Sequence, residues 1–229
     1  MRNLLVNSAV CYGLEVRFAG ALGAFSCVLL PPVAPAQEPD PFIALHHRAQ
    51  EVERSLVTLR ADFVETTESD LLVEPIVESG KMIAARPIRV LLHYEKPEKK
   101  LLLIDGNQLL VSWPERAQSE QMPIAKIQET VDKYFYQASD EEIQRHFIIR
   151  VTSDPDVPGT HRVEMMPKRK QIKEGLERLD LWVEDRTLHM VKMRLLYPHG
   201  AGAKTIELSN LVANVPVEDE EFRVERQTR

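Results

Sequence analysis

The residue types that could catalyse are present in this chain but do not converge. His46 and His47 are adjacent, so on a helix they point about 100° apart, the wrong geometry for a shared ion. His93, His146, His161, His189 and His199 stand alone. Ser112 precedes Trp113-Pro114 without the Gly-x-Ser-x-Gly turn that would expose a nucleophile. Glu141-Glu142 and Asp219-Glu220-Glu221 read as a helix start and a solvated turn, and Asp105 as a turn former. With 9 glycines spread over 229 residues there is no phosphate-cradling loop. The expectation is therefore no metal, no cofactor and no catalytic step. The rival, a hydrolase on an unrelated β scaffold, requires a polar triad facing a cavity.

What repeats is apolar, and it repeats mostly at the period of strands. Gly80 to Trp113 reads as three consecutive strands closed by two turns. Val90, Leu92 and Tyr94 alternate against Arg89, Leu91 and His93; Glu95 to Pro97 makes one turn and Asp105-Gly106-Asn107 the other. Ahead of this block, Phe42, Ala49, Val52, Leu56 and Leu59 form the apolar stripe of a helix. Ala61 to Glu68 and Asp70 to Val77 read as strands, the second marred by Pro75. After a strand over 116–122 the period turns helical from Ile124 to Phe147, with Ile124, Ile127, Val131, Tyr134 and Phe135 on one face and a Ser139/Glu142 capping box. Strands are expected again over 147–152, 161–166, 178–184, 188–197, 203–211 and 221–224. The fold class is mainly β (α+β): an open, strongly curved antiparallel sheet or incomplete barrel, covered on one face by helices. One face of that sheet is expected to carry Val90, Leu92, Tyr94, Leu101, Leu103 and Leu110, joined by Ile148, Leu181, Val183, Met190 and Leu195. Ordinary core packing accounts for each of these taken singly. Met165, Met166, Met190 and Met193 would also adapt to a variable apolar guest.

Residues 1–36 have the form of a cleaved signal peptide, with Arg17 ahead of an apolar run from Phe18 to Leu30 and the small-residue site Ala34-Pro35-Ala36. Residues 37–41 follow as a linker, and 42–229 as a single domain. A membrane anchor is the rival for the apolar run, but Pro31 and Pro32 leave it short of a span. Lipidation of Cys27 is another, and Glu15 ahead of Arg17 leaves open a start downstream of Met1. Cleavage would remove both cysteines, Cys11 and Cys27. The excess of 35 Asp and Glu over 29 Lys and Arg excludes the basic stripe of a nucleic-acid binder.

The order of these features resembles the periplasmic outer-membrane lipoprotein carrier (LolA-like) family. It comprises a helix leading into Ala61-Asp62-Phe63, then Gly80, Arg86-Pro87, Tyr94, Pro97, Asp105-Gly106 and Leu110, and then Met166-Pro167. The strand Arg178 to Glu184, the run Lys204 to Leu208 with Asn210 and Asn214, and Phe222 complete it. The resemblance implies a periplasmic chaperone without catalytic activity that holds the acyl chains of lipoproteins in a hydrophobic cavity and carries them toward the outer membrane. It implies acylated lipoproteins, an inner-membrane lipoprotein-release complex and an outer-membrane lipoprotein receptor as partners, and a monomeric state. In it Arg86 and Pro87 match the pair that ties the sheet to its lid and governs transfer. The apolar positions named above become acyl-cavity candidates, and the 124–147 insert becomes either part of the lid or permanent core cover. An envelope-stress or lipoprotein sensor on the same fold, expected to bear a further C-terminal domain, is the alternative, as is a general periplasmic lipid-binding protein.

Overall fold

The first helix starts where its sequence provides a cap. Asp40 accepts a hydrogen bond from Phe42 N at 2.8 Å, and Pro41 occupies the first turn, where its missing N–H costs nothing. This is the opening of the structure, a computed structural model that describes residues 40–131 and 139–224. The proposed signal segment, most of the linker and Tyr134 and Phe135 lie outside the described residues.

Helix α1 (Pro41–Ser55) ends earlier than the apolar stripe suggests, because Leu56 is extended and Leu59 already belongs to a strand. Asn214 fixes that exit by donating to Ser55 O and accepting from Val57 N. Eleven strands follow among the described residues: β1 (Thr58–Glu68), β2 (Ile76–Ala85), β3 (Arg89–Lys96), β4 (Lys100–Asp105), β5 (Gln108–Trp113) and β6 (Gln118–Pro123), then β7 (Phe147–Ser153), β8 (Thr160–Pro167), β9 (Arg178–Glu184), β10 (Met190–Tyr197) and β11 (Gly202–Ala213). Helices α2 (Ala125–Val131), α3 (Asp140–His146) and α4 (Lys170–Lys173) complete the described elements, with short 3₁₀ turns. The expected Ser139/Glu142 capping box is present at α3.

All strands join one antiparallel sheet in the order β6-β5-β4-β3-β2-β1-β11-β10-β9-β8-β7. The chain builds one half outward from β1 to β6 and returns to build the other half from β7 inward. The strands β6 and β7 stay unpaired with each other, so the sheet is open. Bulges at Arg60/Asp62, Ser79/Gly80 and Met190/Lys192 add local bend and twist to it. At one of them a Cβ on Gly80 would stand 1.9 Å from the carbonyl oxygen of His93, so only glycine lets β2 and β3 approach there.

Three expectations about elements need correction. Residues 70–75 are a connection, and β2 begins at Ile76 after Pro75, which donates no ladder hydrogen bond. Residues 80–113 hold four strands in place of three, because Arg86 to Ile88 makes a turn of its own. Residues 221–224 are not a strand: a 3₁₀ turn (Asp219–Phe222) brings Phe222 onto the sheet.

The two faces differ. On the inner face, Phe42 and Leu45 of α1 and Ile143 of α3 pack with Phe147, Val163, Met165 and Leu179. A second cluster fills the other half with Leu59, Ala61, Phe63, Met82, Ala84, Val90 and Tyr94. On the outer face Phe222 packs on Leu91, Leu103 and Leu110, with the Arg89 guanidinium 4.3 Å from its ring centre.

Candidate functional site

Between the two inner-face clusters the packing stops. The C-terminal half of α1 spans β1, β2, β9, β10 and β11 without filling the space beneath it, leaving a cavity of about 330 Å³. Ala49, Val52 and Leu56 form its roof; Leu59, Met82, Ala84, Leu181, Val183, Met190, Leu208 and Leu211 form its floor. Exposed Val57 and Pro87, with Arg86, Leu188 and His189, mark where it opens. Its floor is apolar because inner-face positions from neighbouring strands fall together: Met190 lies opposite Val183, and Leu59 opposite Ala84. Such a space suits an aliphatic guest and offers few polar groups to orient anything else.

Arg86 closes the open end. Its Nη2 donates to the carbonyl oxygen of Glu53 in the last turn of α1, and its backbone N–H donates to Val57 O at 3.0 Å. The guanidinium is a second donor to a carbonyl that also accepts the Leu56 N–H at 3.0 Å, and its charge suits the negative end of the helix dipole. Burial pushes the Glu53 carboxyl above its usual range, an effect the neighbouring Arg86 only partly offsets. A raised folded-state value means that stability falls as pH climbs from the ordinary carboxylate range toward that value. Glu53→Gln is therefore expected to raise the thermal midpoint at pH 7 by a few degrees, a gain that shrinks toward pH 4.5 in a pH-resolved melting series.

The N-terminal half of α1 is held separately. His46 Nδ1 and His47 Nε2 meet the two oxygens of Asp140, the first residue of α3, at 2.5 and 2.6 Å, and Gln144 donates to Asp40 at 2.7 Å. The two rings, with centroids 6.4 Å apart and planes tilted by 40°, converge on one carboxylate. Burial pushes Asp140 up, but the hydrogen bonds from His46 and His47 outweigh it and hold the group below the usual carboxylate value. This clasp persists at neutral pH and weakens as acid protonates Asp140.

The sequence-predicted site residues divide between the faces. Leu181, Val183 and Met190 line the cavity, as do Arg86 and Pro87. Val90, Leu92 and Tyr94 share the inner face but belong to the filled cluster beside it, and Leu195 packs against the cluster under α1. Tyr94 is further committed by a hydrogen bond to buried Glu65 at 3.2 Å. Leu101, Leu103 and Leu110 lie on the opposite face. Tyr94 pairs with Lys100 and Leu92 with Leu102, which puts Leu102 and Ile104 inward and turns Leu101 and Leu103 outward to Phe222. Ile148 is also outward and 47% exposed, paired with Met166, while Phe147 takes the inner position. The sequence reading missed Ala49, Met82, Ala84, Leu208 and Leu211. Ala84 and Met82 were legible as the cross-strand partners of Val90 and Leu92, but the positive φ of Asn210 hides the relation of Leu208 to Leu211.

A second hollow of about 400 Å³ lies on the outer face, but Arg60, Asp62, Lys81, His93, Asn210 and Glu221 line it. Arg60 pairs there with Glu221 and Lys81 with Asp62. Among the described residues no group of His, Cys, Asp and Glu is placed to hold a metal ion, and no helix is long and apolar enough to cross a membrane.

Comparison with known proteins agrees with this architecture. The lipoprotein LppX of Mycobacterium tuberculosis aligns with a TM-score of 0.50 and 13% identity, over 79% of this chain and 99% of that one. An uncharacterized conserved protein of Thermus thermophilus aligns at 0.52 and 10%, over 82% and 96%. MucB, solved in complex with MucA(peri), aligns at 0.50 and 12%, over 81% of this chain but only 60% of MucB. Among curated proteins none matches. The model of the family described as outer membrane lipoprotein carrier protein LolA matches residues 54–225, so this chain, with its open eleven-stranded antiparallel sheet, belongs to the LolA family.

Proposed function

We propose that this protein is a non-catalytic periplasmic carrier that shields the acyl chains of a lipoprotein beneath α1 on their way toward the outer membrane. The observation that carries the reading is the apolar cavity between the two inner-face clusters, with the Arg86 guanidinium bonded to the last turn of α1 at its open end. Each methylene withdrawn from water contributes about 0.8 kcal/mol, so even one chain rewards burial strongly. At about 330 Å³ the closed cavity is at the small end of ligand sites, and a cargo with several chains requires α1 to lift from the sheet. Its partners are then acylated lipoproteins, an inner-membrane release complex and an outer-membrane receptor, and no nucleic acid.

Native mass spectrometry of the protein from its own periplasm tests this: bound lipoprotein or lipid supports carriage, and a protein that is empty and takes up no acyl ligand refutes it. Arg86→Met removes the side-chain bond that ties the last turn of α1 to the sheet. It is expected to tighten binding of a fluorescent acyl probe by about tenfold, because the closed form no longer competes with the loaded one. Unchanged or weaker binding would deny Arg86 its part in closure. A regulator on the same fold is the second reading, motivated by the likeness to MucB solved with MucA(peri), and would bind acyl chains without passing them on.

A further inference from the structure

Opposite the cavity mouth, the β1–β2 connection carries apolar side chains into water. Leu71 is 89% exposed and Val73 102%, and every residue from Asp70 to Val77 is exposed. An unbroken exposed run with Leu71, Leu72, Val73, Ile76 and Val77 is the kind of feature that marks an interaction site. The finger has a fixed base. Leu72 N donates to Ser69 O, Leu71 N to Ser69 Oγ, and Glu68 pairs with Arg194 at 2.9 Å. Gly202 packs so closely under Glu68 that a Cβ there would stand 2.0 Å from its carbonyl oxygen.

The charges around it narrow the choice of partner. Asp70 and Glu74 flank Leu71 and Val73, so insertion into a bilayer would carry two carboxylates toward hydrocarbon and toward any anionic headgroups. An apolar socket with cationic groups at its rim is the better fit, and this chain possesses one: the cavity under α1, with Arg86 and His189 at its opening beside the single carboxylate in its lining, Glu53, and Arg54 exposed in the last turn of α1. The finger cannot reach the socket of its own chain. The socket opens at the Thr58 end of β1 and the finger leaves the Glu68 end, eleven residues and roughly 35 Å away.

We propose that a second copy of this chain is the finger's partner: Leu71 and Val73 of one molecule enter the cavity of the next when no acyl chain occupies it. The proposal rests on the acyl-binding reading of that cavity and adds a competitor for it. Such a contact is head-to-tail and does not close on itself, so empty protein grows into short chains with concentration, and cargo disperses them. The expected monomer is then the loaded form.

Sedimentation velocity of the purified, delipidated protein over about 10 µM to 1 mM tests it. Wild type is expected to associate reversibly and to return to monomer with saturating dodecanoate, a test that needs no variant. Leu71→Ser with Val73→Ser is expected to weaken association by about 30-fold or more. Ala49→Trp, which blocks the socket, is also expected to be monomeric, and mixing it with the finger variant to yield pairs that grow no further. Overturning results are a wild type that stays monomeric throughout, association that both variants leave intact, or a finger that binds phosphatidylethanolamine/phosphatidylglycerol vesicles without any self-association. Dodecanoate binding by the finger variant is measured separately. If it is lost, the acyl-binding reading fails; if it persists while wild type never associates, only the present proposal fails.

Discussion

Ala49→Trp is expected to cost the protein about 100-fold in affinity for a fluorescent acyl probe while leaving its thermal midpoint unchanged or slightly higher. Ala49 stands on the roof of the cavity, on a helix face that already looks at Leu181, Met190 and Leu208. An indole there occupies the space of roughly four methylenes of a guest, and at about 0.8 kcal/mol each their exclusion corresponds to that loss. Filling an empty apolar hollow removes a packing defect, so the fold has no reason to weaken. Paired equilibrium titration and thermal melting separate the two effects. Retained affinity would place the guest elsewhere on the molecule.

Phe147→Ala carries the largest expected loss of stability. Its side chain is 1% exposed, at the point where α3 ends and β7 begins, in one cluster with Phe42, Leu45, Ile143 and Met165. Removing a buried phenyl ring costs about 3–5 kcal/mol, which lowers the melting temperature of a chain of this size by about 10 °C. The loss is expected to be felt in α1 as well, because Phe42 and Leu45 would face the void. Hydrogen exchange in α1 should therefore accelerate more than exchange in the distant β4–β5 hairpin. Equal acceleration in both would show that the two halves of the sheet unfold as one unit.

Where the sequence alternates against polar residues, the faces were legible. Leu181 and Val183 flank Trp182 and follow Asp180, and they fall inward, together with Leu179, which was not singled out. The register of Leu101 to Leu110 was not legible, for a physical reason. Leu101-Leu102-Leu103-Ile104 and Leu109-Leu110-Val111 are apolar on both sides, because the outer face of this hairpin is also covered, by Phe222 returning from the far end of the chain. Only the turn through Pro97 decides which leucines turn inward, and it pairs Tyr94 with Lys100. The Ile148/Ile149 pair is ambiguous in the same way until α3 sets Phe147 inward.

The contact between Arg86 and α1 was legible only in part. A strand-end Arg donating to a helix-end carbonyl follows from the chemistry of the guanidinium, and Arg86 does this with Glu53. That the acceptor helix is α1, and not the 124–147 insert, depends on where β2 and β3 turn back. His46 and His47 divided between the two oxygens of Asp140 depend on α3 lying beside α1. Both are long-range placements that local pattern does not encode.

Photolabelling with a diazirine-bearing palmitate, mapped by peptide mass spectrometry, tests most directly whether acyl chains lie beneath α1. Labels are expected on Ala49, Leu181, Met190, Leu208 and Leu211, and are expected to diminish when Ala49→Trp fills the cavity. Labels confined to Leu101, Leu103 and Leu110 on the outer face, or to the 70–77 finger, or absent altogether, would contradict it.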